Sequence, residues 1–529
     1  MNHSTFKSFT FGIGLFFTLP LVYGNSSSLS SSDGTLYINK SKTHKVAPVK
    51  YGFHYEEIGM MGEGALHAEL IRNRSFEEAT PPAGLSVKNG LYENVPAPRV
   101  KEKKVFQADP LIGWTTYPLS YTPVFISRTD ENPMSGENKY SMLVNVTEDI
   151  ANHSDALILN RGYYGMNLKT DTSYRLSLFL KNRNYSAPLR VFLVDEWGQR
   201  VSNVIEVNVG NREWTKYTGE LKPEKNVRRG MFAIQPMSKG QFQMDVVSLF
   251  PSDTWNDGKS VFRKDIVQNL KEFSPSFIRF PGGCIVHGVN EETMYHWKKT
   301  LGPIENRPGQ WSKWAPYYRT DGIGYHEFYE LCEYVGADAM YVMPTGMICS
   351  GWVKQSPQWN FRHIDVDLDA YIQDALDAIE YAIGDTTTKW GAERAKNGHP
   401  APFPLKYIEI GNEDFGPVYW ERYEKIYQAL SAKYPDLIYI ANSVIRVVGR
   451  ENDKRKDIPN FVNPKNVKVF DEHYYNSIEW ACEQHYRFDN YKRGVADLFI
   501  GELGISGKYP YNLLATGAIR MSIERNGDL

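Results

Sequence analysis

The stretch Tyr407-Ile-Glu-Ile-Gly-Asn-Glu-Asp414 decides the fold. A short, mostly apolar strand candidate runs directly into a glycine and three polar side chains. The segment from Tyr419 to Lys433 then has the apolar spacing of an amphipathic helix. A strand that leads through a short polar turn into a helix is the repeating unit of a parallel α/β sheet.

The chain after Val261 repeats this unit. Strand candidates are Phe277–Phe280, Ala339–Met343, Tyr407–Ile410, Leu437–Ile440, Val467–Phe470 and Leu498–Ile500, and helix candidates are Tyr325–Val335, Leu368–Ile383 and Tyr419–Lys433. With a further strand at Val49–Phe53, the pattern predicts an α/β fold with a (β/α)8-type barrel of which seven strands are present. The sequence stops at Leu529, after a helix candidate at Tyr511–Arg525, so either this count is wrong or the sequence is truncated. From a missing eighth strand we expect an unstable or poorly active chain.

Residues 80–250 have a different pattern of apolar and polar residues. Short segments alternate apolar and polar residues between turns, at Ser141–Val146, Tyr174–Leu180, Leu189–Leu193 and Val204–Val209. This pattern predicts an inserted antiparallel β-sandwich. The resulting domains are a signal peptide at 1–24, a Ser-rich linker at 25–46, the start of the barrel at 47–79, the sandwich at 80–250 and the incomplete barrel at 251–529.

The N-terminus indicates where the protein is located. An uncharged apolar stretch up to Gly24 is typical of a cleavable secretory signal. The alternative is an uncleaved anchor. We therefore expect a secreted or periplasmic protein without a membrane segment in its mature form.

The composition indicates the kind of partner and the state of the cysteines. Lys and Arg total 60 against 62 Asp and Glu, and this balance gives no reason to expect a nucleic-acid partner. Aromatic residues make up 14%, which suits sugar binding or a large core. The four cysteines are Cys284, Cys332, Cys349 and Cys482; buried free thiols are slightly favoured over one or two disulfides.

Two glutamates carry the candidate chemistry. Glu413 follows the fourth strand, and Glu502, in Gly501-Glu-Leu-Gly504, follows the seventh. Functional side chains of a parallel barrel cluster at the carboxyl ends of its strands. Two carboxyl groups that face each other, one protonated and one ionised, are what cleavage of a glycosidic bond requires. The alternative is that both are exposed loop residues.

Other polar residues at strand ends support this interpretation. Asn412 can hydrogen-bond a sugar hydroxyl, Arg279 can keep a nucleophile ionised, and His473 and Tyr475 can donate to the carboxylates or to sugar hydroxyls. Trp297, Trp311 and Trp314 fall in one segment and either wall a sugar site or belong to the core. Asp471 beside Glu472 is a weak indication of a metal site; no zinc or calcium spacing occurs, and we expect neither a metal nor a cofactor.

Several motifs resemble α-L-arabinofuranosidases of glycoside hydrolase family 51, in the subfamily with an inserted carbohydrate-binding-module-like sandwich. They are Tyr51-Gly-Phe-His-Tyr-Glu-Glu-Ile58, Ala68-Glu-Leu-Ile-Arg-Asn-Arg-Ser-Phe-Glu77, Arg279-Phe-Pro-Gly-Gly-Cys284, Trp297-Lys-Lys-Thr-Leu-Gly-Pro-Ile-Glu-Asn-Arg-Pro308, Glu409-Ile-Gly-Asn-Glu413 and His473-Tyr-Tyr475. The resemblance extends from about Val49 to Leu529. The Gly-Asn-Glu motif alone is shared by a wider clan of barrel glycosidases.

The resemblance implies a retaining hydrolase of arabinose-containing poly- or oligosaccharides. Glu413 would be the general acid/base and Glu502 the nucleophile. The substrate-binding set that it implies is Glu56, Asn412, His473, Tyr475, Arg279 and Cys284, the last at a position where some members carry Asn and others Cys. Two alternatives remain open: an endoglucanase, endoxylanase or β-xylosidase on the same scaffold, and a non-catalytic sugar-binding remnant. An oligomer is possible.

Overall fold

The computed structural model describes residues 41, 43, 46–47, 51–79, 86–88, 91–93, 109–119, 121–150, 155–288, 290–311, 318–349, 361–447 and 466–529. The predicted signal peptide at 1–24 and nearly all of the Ser-rich linker at 25–46 lie outside these residues. The described residues from Val46 onward belong to one compact unit.

A parallel sheet of seven strands forms the first layer of the fold. Its strands, β1 to β7 in chain order, are Phe53–His54, Phe277–Phe280, Asp338–Met343, Leu405–Ile410, Ile438–Val447, Val469–Ser477 and Asp497–Ser506. Each pairs with the next in the same order, with registers such as His54 beside Arg279 and His473 beside Glu502. The predicted (β/α)8-type barrel with seven strands is therefore confirmed for the described residues.

Helices cover the outside of this sheet. They are α1 (Lys264–Glu272), α2 (Tyr325–Val335), α3 (Leu368–Ile383), α4 (Lys389–Lys396), α5 (Gly416–Lys433), α6 (Ile478–Glu483) and α7 (Tyr511–Arg525). The Asp367 side chain accepts from the Ala370 amide at the start of α3, and Ser477 caps α6 in the same way. None of the described helices is both long enough and apolar enough to cross a membrane.

Shorter elements lie in the connections. Single turns of 3-10 helix occupy Gly283–Ile285, Glu291–Thr293, Trp297–Thr300 and Ile304–Asn306, and a wider turn occupies Gly62–Leu66. Two-stranded ribbons pair Ser86–Lys88 with Leu91–Glu93, Gln310–Trp311 with Tyr318–Arg319, and Met347–Cys349 with Phe361–His363.

Trp297 belongs to the barrel core. Its side chain is fully buried against the rings of Tyr325, Tyr381 and Trp390, and its indole nitrogen donates to Asp374. Of the two alternatives for this tryptophan, the core position is the one observed. Trp314 and the side chain of Trp311 lie outside the described residues.

Two antiparallel sheets form a β-sandwich between β1 and β2. Their strands are Trp114–Tyr117, Val124–Thr129, Ser141–Val146, Leu157–Asn160, Met166–Leu168, Tyr174–Asn182, Pro188–Val194, Ile205–Asn208, Thr215–Leu221, Val227–Gln235 and Gly240–Pro251. Inward side chains of both sheets, such as Leu178 and Phe232, share one apolar core with Ile71 and Phe76. The domain limits at 80 and 250 stay a prediction.

The four cysteines, which all lie in the described part of the chain, are free thiols. Cys284, Cys332 and Cys349 are buried and Cys482 is partly buried. Burial raises the pKa of the Cys332 thiol well above its ordinary value, so this group is unreactive.

Candidate active site

Arg279 is the charged centre of the site at the carboxyl ends of the parallel strands. It is the penultimate residue of β2 and has no solvent exposure. Its Nε and Nη2 donate to the two oxygens of Glu409 over 2.6 and 2.9 Å, and Nη2 also donates to Asn412 Oδ1 over 2.7 Å. Its Nη1 donates to Glu502 Oε1 over 3.1 Å. One planar guanidinium therefore fixes three side chains, from β4, the loop after it and β7.

His473 lies between the two glutamates. Its Nδ1 is 3.0 Å from Glu413 Oε1 and 3.6 Å from Glu502 Oε2. The ligand-type atoms of these three side chains all lie within 4.8 Å of one another. Its Nε2 donates to Asp471 Oδ2 over 2.6 Å. The prediction that strands four and seven bring two carboxyl groups together is thus met by the geometry.

The pKa values of His473 and Glu502 are shifted in opposite directions. Burial alone would lower the pKa of His473, but the charges of Asp471 and Glu502 outweigh it and hold that pKa well above its ordinary value. Burial alone would raise the pKa of Glu502. The charges of His473 and Arg279 and the hydrogen bond from Tyr475 outweigh it, so the Glu502 pKa lies far below its ordinary value. Glu502 is therefore an anion and His473 an imidazolium at neutral pH.

The wall of the site comes from β1, β6 and the turn after β2. The Tyr475 hydroxyl donates to Glu502 Oε2, and 39% of Tyr475 is exposed. Glu56 is buried and accepts from the Ile285 amide over 3.3 Å. Cys284 is buried in the same turn, next to Gly283. A Cβ on Gly283 would overlap the Glu56 carboxyl group, so this position needs glycine for close approach as well as for its φ of 38°.

The loop after β4 holds Glu413 in a rare backbone conformation. Gly411 has a φ of 84° and Glu413 a φ of 52°. A non-glycine residue in the left-handed region costs free energy and persists where its surroundings impose it. Here His287 binds the Asn412 carbonyl oxygen, and the Asp414 amide donates to Asn442 Oδ1 over 3.2 Å. These contacts aim the Glu413 side chain, which is 10% exposed, at His473.

Three further side chains belong to the site, and the sequence interpretation assigned none of them to the sugar chemistry. Glu409 and Asp471 neutralise Arg279 and His473 from inside the sheet, and His54 Nδ1 accepts from Arg279 Nη1 over 2.7 Å. A signal for Glu409 existed, because a carboxylate inside an apolar strand needs a buried cation. Asp471 and Glu472 do not converge, since neighbours in a strand point to opposite faces; Glu472 accepts instead from Tyr474 and Tyr491. Their adjacency does not make a metal site.

Comparisons with known proteins find α-L-arabinofuranosidases among the similar sequences. The model of the family described as "Alpha-L-arabinofuranosidase 1 domain" matches residues 269–493. An extracellular exo-α-L-arabinofuranosidase of Streptomyces chartreusis is 30% identical over 493 residues, which cover 90% of this chain and 54% of that protein. α-L-Arabinofuranosidase 1 of Arabidopsis thaliana is 28% identical, over 90% of this chain and 65% of its own length. The chain is similar to α-L-arabinofuranosidases.

A solved structure of an α-L-arabinofuranosidase is also similar to this chain. The arabinose-bound α-L-arabinofuranosidase MgGH51 superposes with a TM-score of 0.73 at 25% identity, over 93% of this chain and 74% of that one. The chain spans about half to two thirds of the length of the two curated relatives described above. The residues matched by the arabinofuranosidase domain model include Arg279, Cys284, Asn412, Glu413 and His473. These similarities do not favour an endoglucanase, an endoxylanase or a β-xylosidase.

Proposed function

We propose that this chain is a retaining α-L-arabinofuranosidase that releases terminal α-L-arabinofuranosyl residues from arabinose-containing plant polysaccharides such as arabinan and arabinoxylan. One observation carries the proposal: oxygens of Glu413 and Glu502 lie within 4.8 Å of each other, and Glu502 is held ionised. Retaining glycosidases place their two carboxyl groups about 5–5.5 Å apart, whereas inverting enzymes leave room for a water between them.

The reaction has two steps. Glu413, protonated, gives its proton to the glycosidic oxygen as the bond from that oxygen to the anomeric carbon breaks. Glu502 attacks the anomeric carbon and forms a covalent arabinosyl ester. Glu413, now ionised, takes a proton from a water, and this water attacks the anomeric carbon and releases Glu502 and arabinose with retained configuration.

The surrounding charges suit these roles. Arg279, His473 and the Tyr475 hydroxyl all contact or approach Glu502, which keeps it an anion ready to attack. The imidazolium of His473, 3.0 Å from Glu413, favours the ionised form of Glu413, whereas the negative charge of Glu502 within 4.8 Å opposes it before the first step. Once the ester forms, that charge is gone and Glu413 can serve as the base.

The sugar-binding groups of the proposal lie around these carboxylates. Glu56 and Asn412 would bind arabinose hydroxyls, and Tyr475, His473 and Cys284 would line the pocket. Asn412 Oδ1 accepts from Arg279 Nη2, while its buried Nδ2 has no partner among the described residues. A buried donor without a partner is costly, and a sugar hydroxyl would satisfy it.

The finer assignments belong to the same proposal. The sandwich, with limits at 80 and 250, would be the carbohydrate-binding-module-like insertion of one arabinofuranosidase subfamily. The N-terminal 24 residues would direct the chain out of the cytoplasm. An extracellular relative at 30% identity supports that location.

The test is hydrolysis of p-nitrophenyl α-L-arabinofuranoside by the chain and by its Glu502→Gln variant. We expect turnover, and a loss of more than about a thousandfold in the variant because the nucleophile is gone. Glu472→Gln is the matched control: it neutralises a buried glutamate on β6 that faces away from the site, and its amide oxygen can still accept from Tyr474 and Tyr491. Equal activity of Glu502→Gln and the wild type would overturn the proposal.

A further inference from the structure

A turn of the sandwich reaches the loop that carries Glu56. It joins the sandwich strands Leu157–Asn160 and Met166–Leu168 and presents two adjacent tyrosines. Tyr163 points inward, where its hydroxyl donates to Glu63 Oε2 over 3.2 Å. Its ring lies so close to Gly64 that a Cβ there would be 2.6 Å from the ring. The sandwich and the loop after β1 are therefore in direct contact.

Tyr164 points outward at the same place. It is 76% exposed, and its hydroxyl is 3.6 Å from Met60 Sδ. Met60 follows Glu56 by four residues, so their Cα atoms are at most about 14 Å apart. The exposed side chains of Ile58 and Met61 occupy the same loop. An aromatic ring and apolar side chains thus lie exposed at the loop that follows Glu56.

This contact is held firmly in place. Glu57 Oε2 accepts from the Gly62 amide over 2.8 Å and from the Tyr55 hydroxyl over 3.2 Å. Glu63 Oε1 accepts from the amide and the hydroxyl of Thr320, both over 2.8 Å. With Tyr163 on its other oxygen, Glu63 links the barrel to the sandwich. Tyr164 therefore has a fixed support on the loop that carries Glu56.

We propose that Tyr164, backed by Met60, binds the sugar residue on the leaving-group side of the cleaved bond. This inference rests on the proposed function and deepens it, because it makes the sandwich part of the substrate site. The flat faces of sugars carry C–H groups, and an exposed tyrosine offers an apolar face with a polar edge for them. The occupant is the second residue of an arabino-oligosaccharide, since it is joined to the arabinose held at Glu56.

The test compares two substrates that share the arabinose and differ in the leaving group. Under this proposal arabinotriose brings a sugar to Tyr164, whereas methyl α-L-arabinofuranoside has no sugar on the leaving-group side. For Tyr164→Ala we expect KM for arabinotriose to rise about three- to tenfold, the usual effect of losing one aromatic contact. We expect KM for the methyl glycoside to change by less than about twofold.

Two controls separate this role from others. Tyr164→Phe keeps the ring and should keep the wild-type KM for arabinotriose. Trp197→Ala removes another highly exposed aromatic ring of the sandwich and should leave both substrates unchanged. An unchanged KM for arabinotriose in Tyr164→Ala, or the same rise for both substrates, would overturn the inference. A wild type inactive on both substrates would instead overturn the proposed function.

Discussion

Arg279 donates a hydrogen bond to Glu502 across 3.1 Å from a position with no access to solvent. The same guanidinium is fixed on its other edge by Glu409, with two bonds of 2.6 and 2.9 Å. Burial and three carboxylates around Arg279 act on its pKa, and the carboxylates raise it well above the ordinary value. Its charge does not change with pH, so it favours the ionised form of Glu502 throughout, alongside the histidines His473 and His54.

Arg279→Lys should therefore reduce kcat strongly. A lysine keeps the charge but loses the planar fork that serves Glu409, Asn412 and Glu502 together. Loss of one preorganised hydrogen-bond donor in an active site costs about a hundred- to a thousandfold in kcat, so we expect a drop of about that size. Kinetics with p-nitrophenyl α-L-arabinofuranoside measure it.

Arg394→Lys is the control for this loss. Arg394 is equally buried but donates only to backbone carbonyls, including those of Tyr381 and Gly384. It should lower the melting temperature and leave kcat within about twofold of the wild type. A similar loss of kcat in both variants would mean that Arg279 acts through stability alone.

Glu413→Ala should depend on the leaving group. The acid is needed only where the departing oxygen requires a proton, and general acid catalysis contributes about a hundred- to ten-thousandfold. We expect kcat/KM, which reports the first step, to fall about a thousandfold for methyl α-L-arabinofuranoside. The fall should be at least tenfold smaller for the p-nitrophenyl substrate, whose leaving group is stable as an anion. Equal losses for both substrates would assign Glu413 another role.

The pH dependence of stability should report His473. Its pKa is raised in the folded chain, so the folded state binds this proton more tightly than the unfolded state. That stabilisation is complete below about pH 6.5, the unfolded value for histidine, and is lost as pH rises through the folded pKa. We expect the melting temperature of the wild type to fall more steeply above pH 6.5 than that of His473→Gln. Parallel curves would show that the imidazolium is absent.

Much of this architecture was predictable from local patterns, and the failures have a physical cause. The limits of α2, α3 and β2 were predicted to the residue. The spacing of apolar residues in the two helices, and the apolar run in the strand, differ clearly from the flanking turns. The strands β5, β6 and β7 extend beyond their predicted ends through polar residues such as Glu472 and Glu502. Pairing with a parallel neighbour keeps such residues in the sheet, even across the register shifts at Asn442–Val444 and Asp471–His473, and no local pattern reports this pairing.

Some residues of the candidate site could likewise be predicted from the local sequence, and others could not. Glu413 and Glu502 were predicted because each follows an apolar strand and lies next to glycine or a glycine turn. His54 was not, because its role depends on the neighbouring strand: it lies beside Arg279 in the β1–β2 register. Contacts of this kind are set by strand pairing rather than by spacing along the chain.

Gly283→Ala should weaken substrate binding. The added methyl group would overlap the Glu56 carboxyl group, so Glu56 must move from the place where the proposal has it bind arabinose. A hydrogen bond to a charged group contributes about 1.5–3 kcal/mol, so we expect KM to rise about ten- to a hundredfold. Because this binding is shared by the ground and transition states, kcat should change much less.

Gly336→Ala is the control for backbone strain. Gly336 also has a positive φ, 75°, but a Cβ there meets nothing within 4 Å. It should lower the melting temperature and leave KM unchanged, whereas a rise of KM in both variants would assign the effect to strain rather than to Glu56.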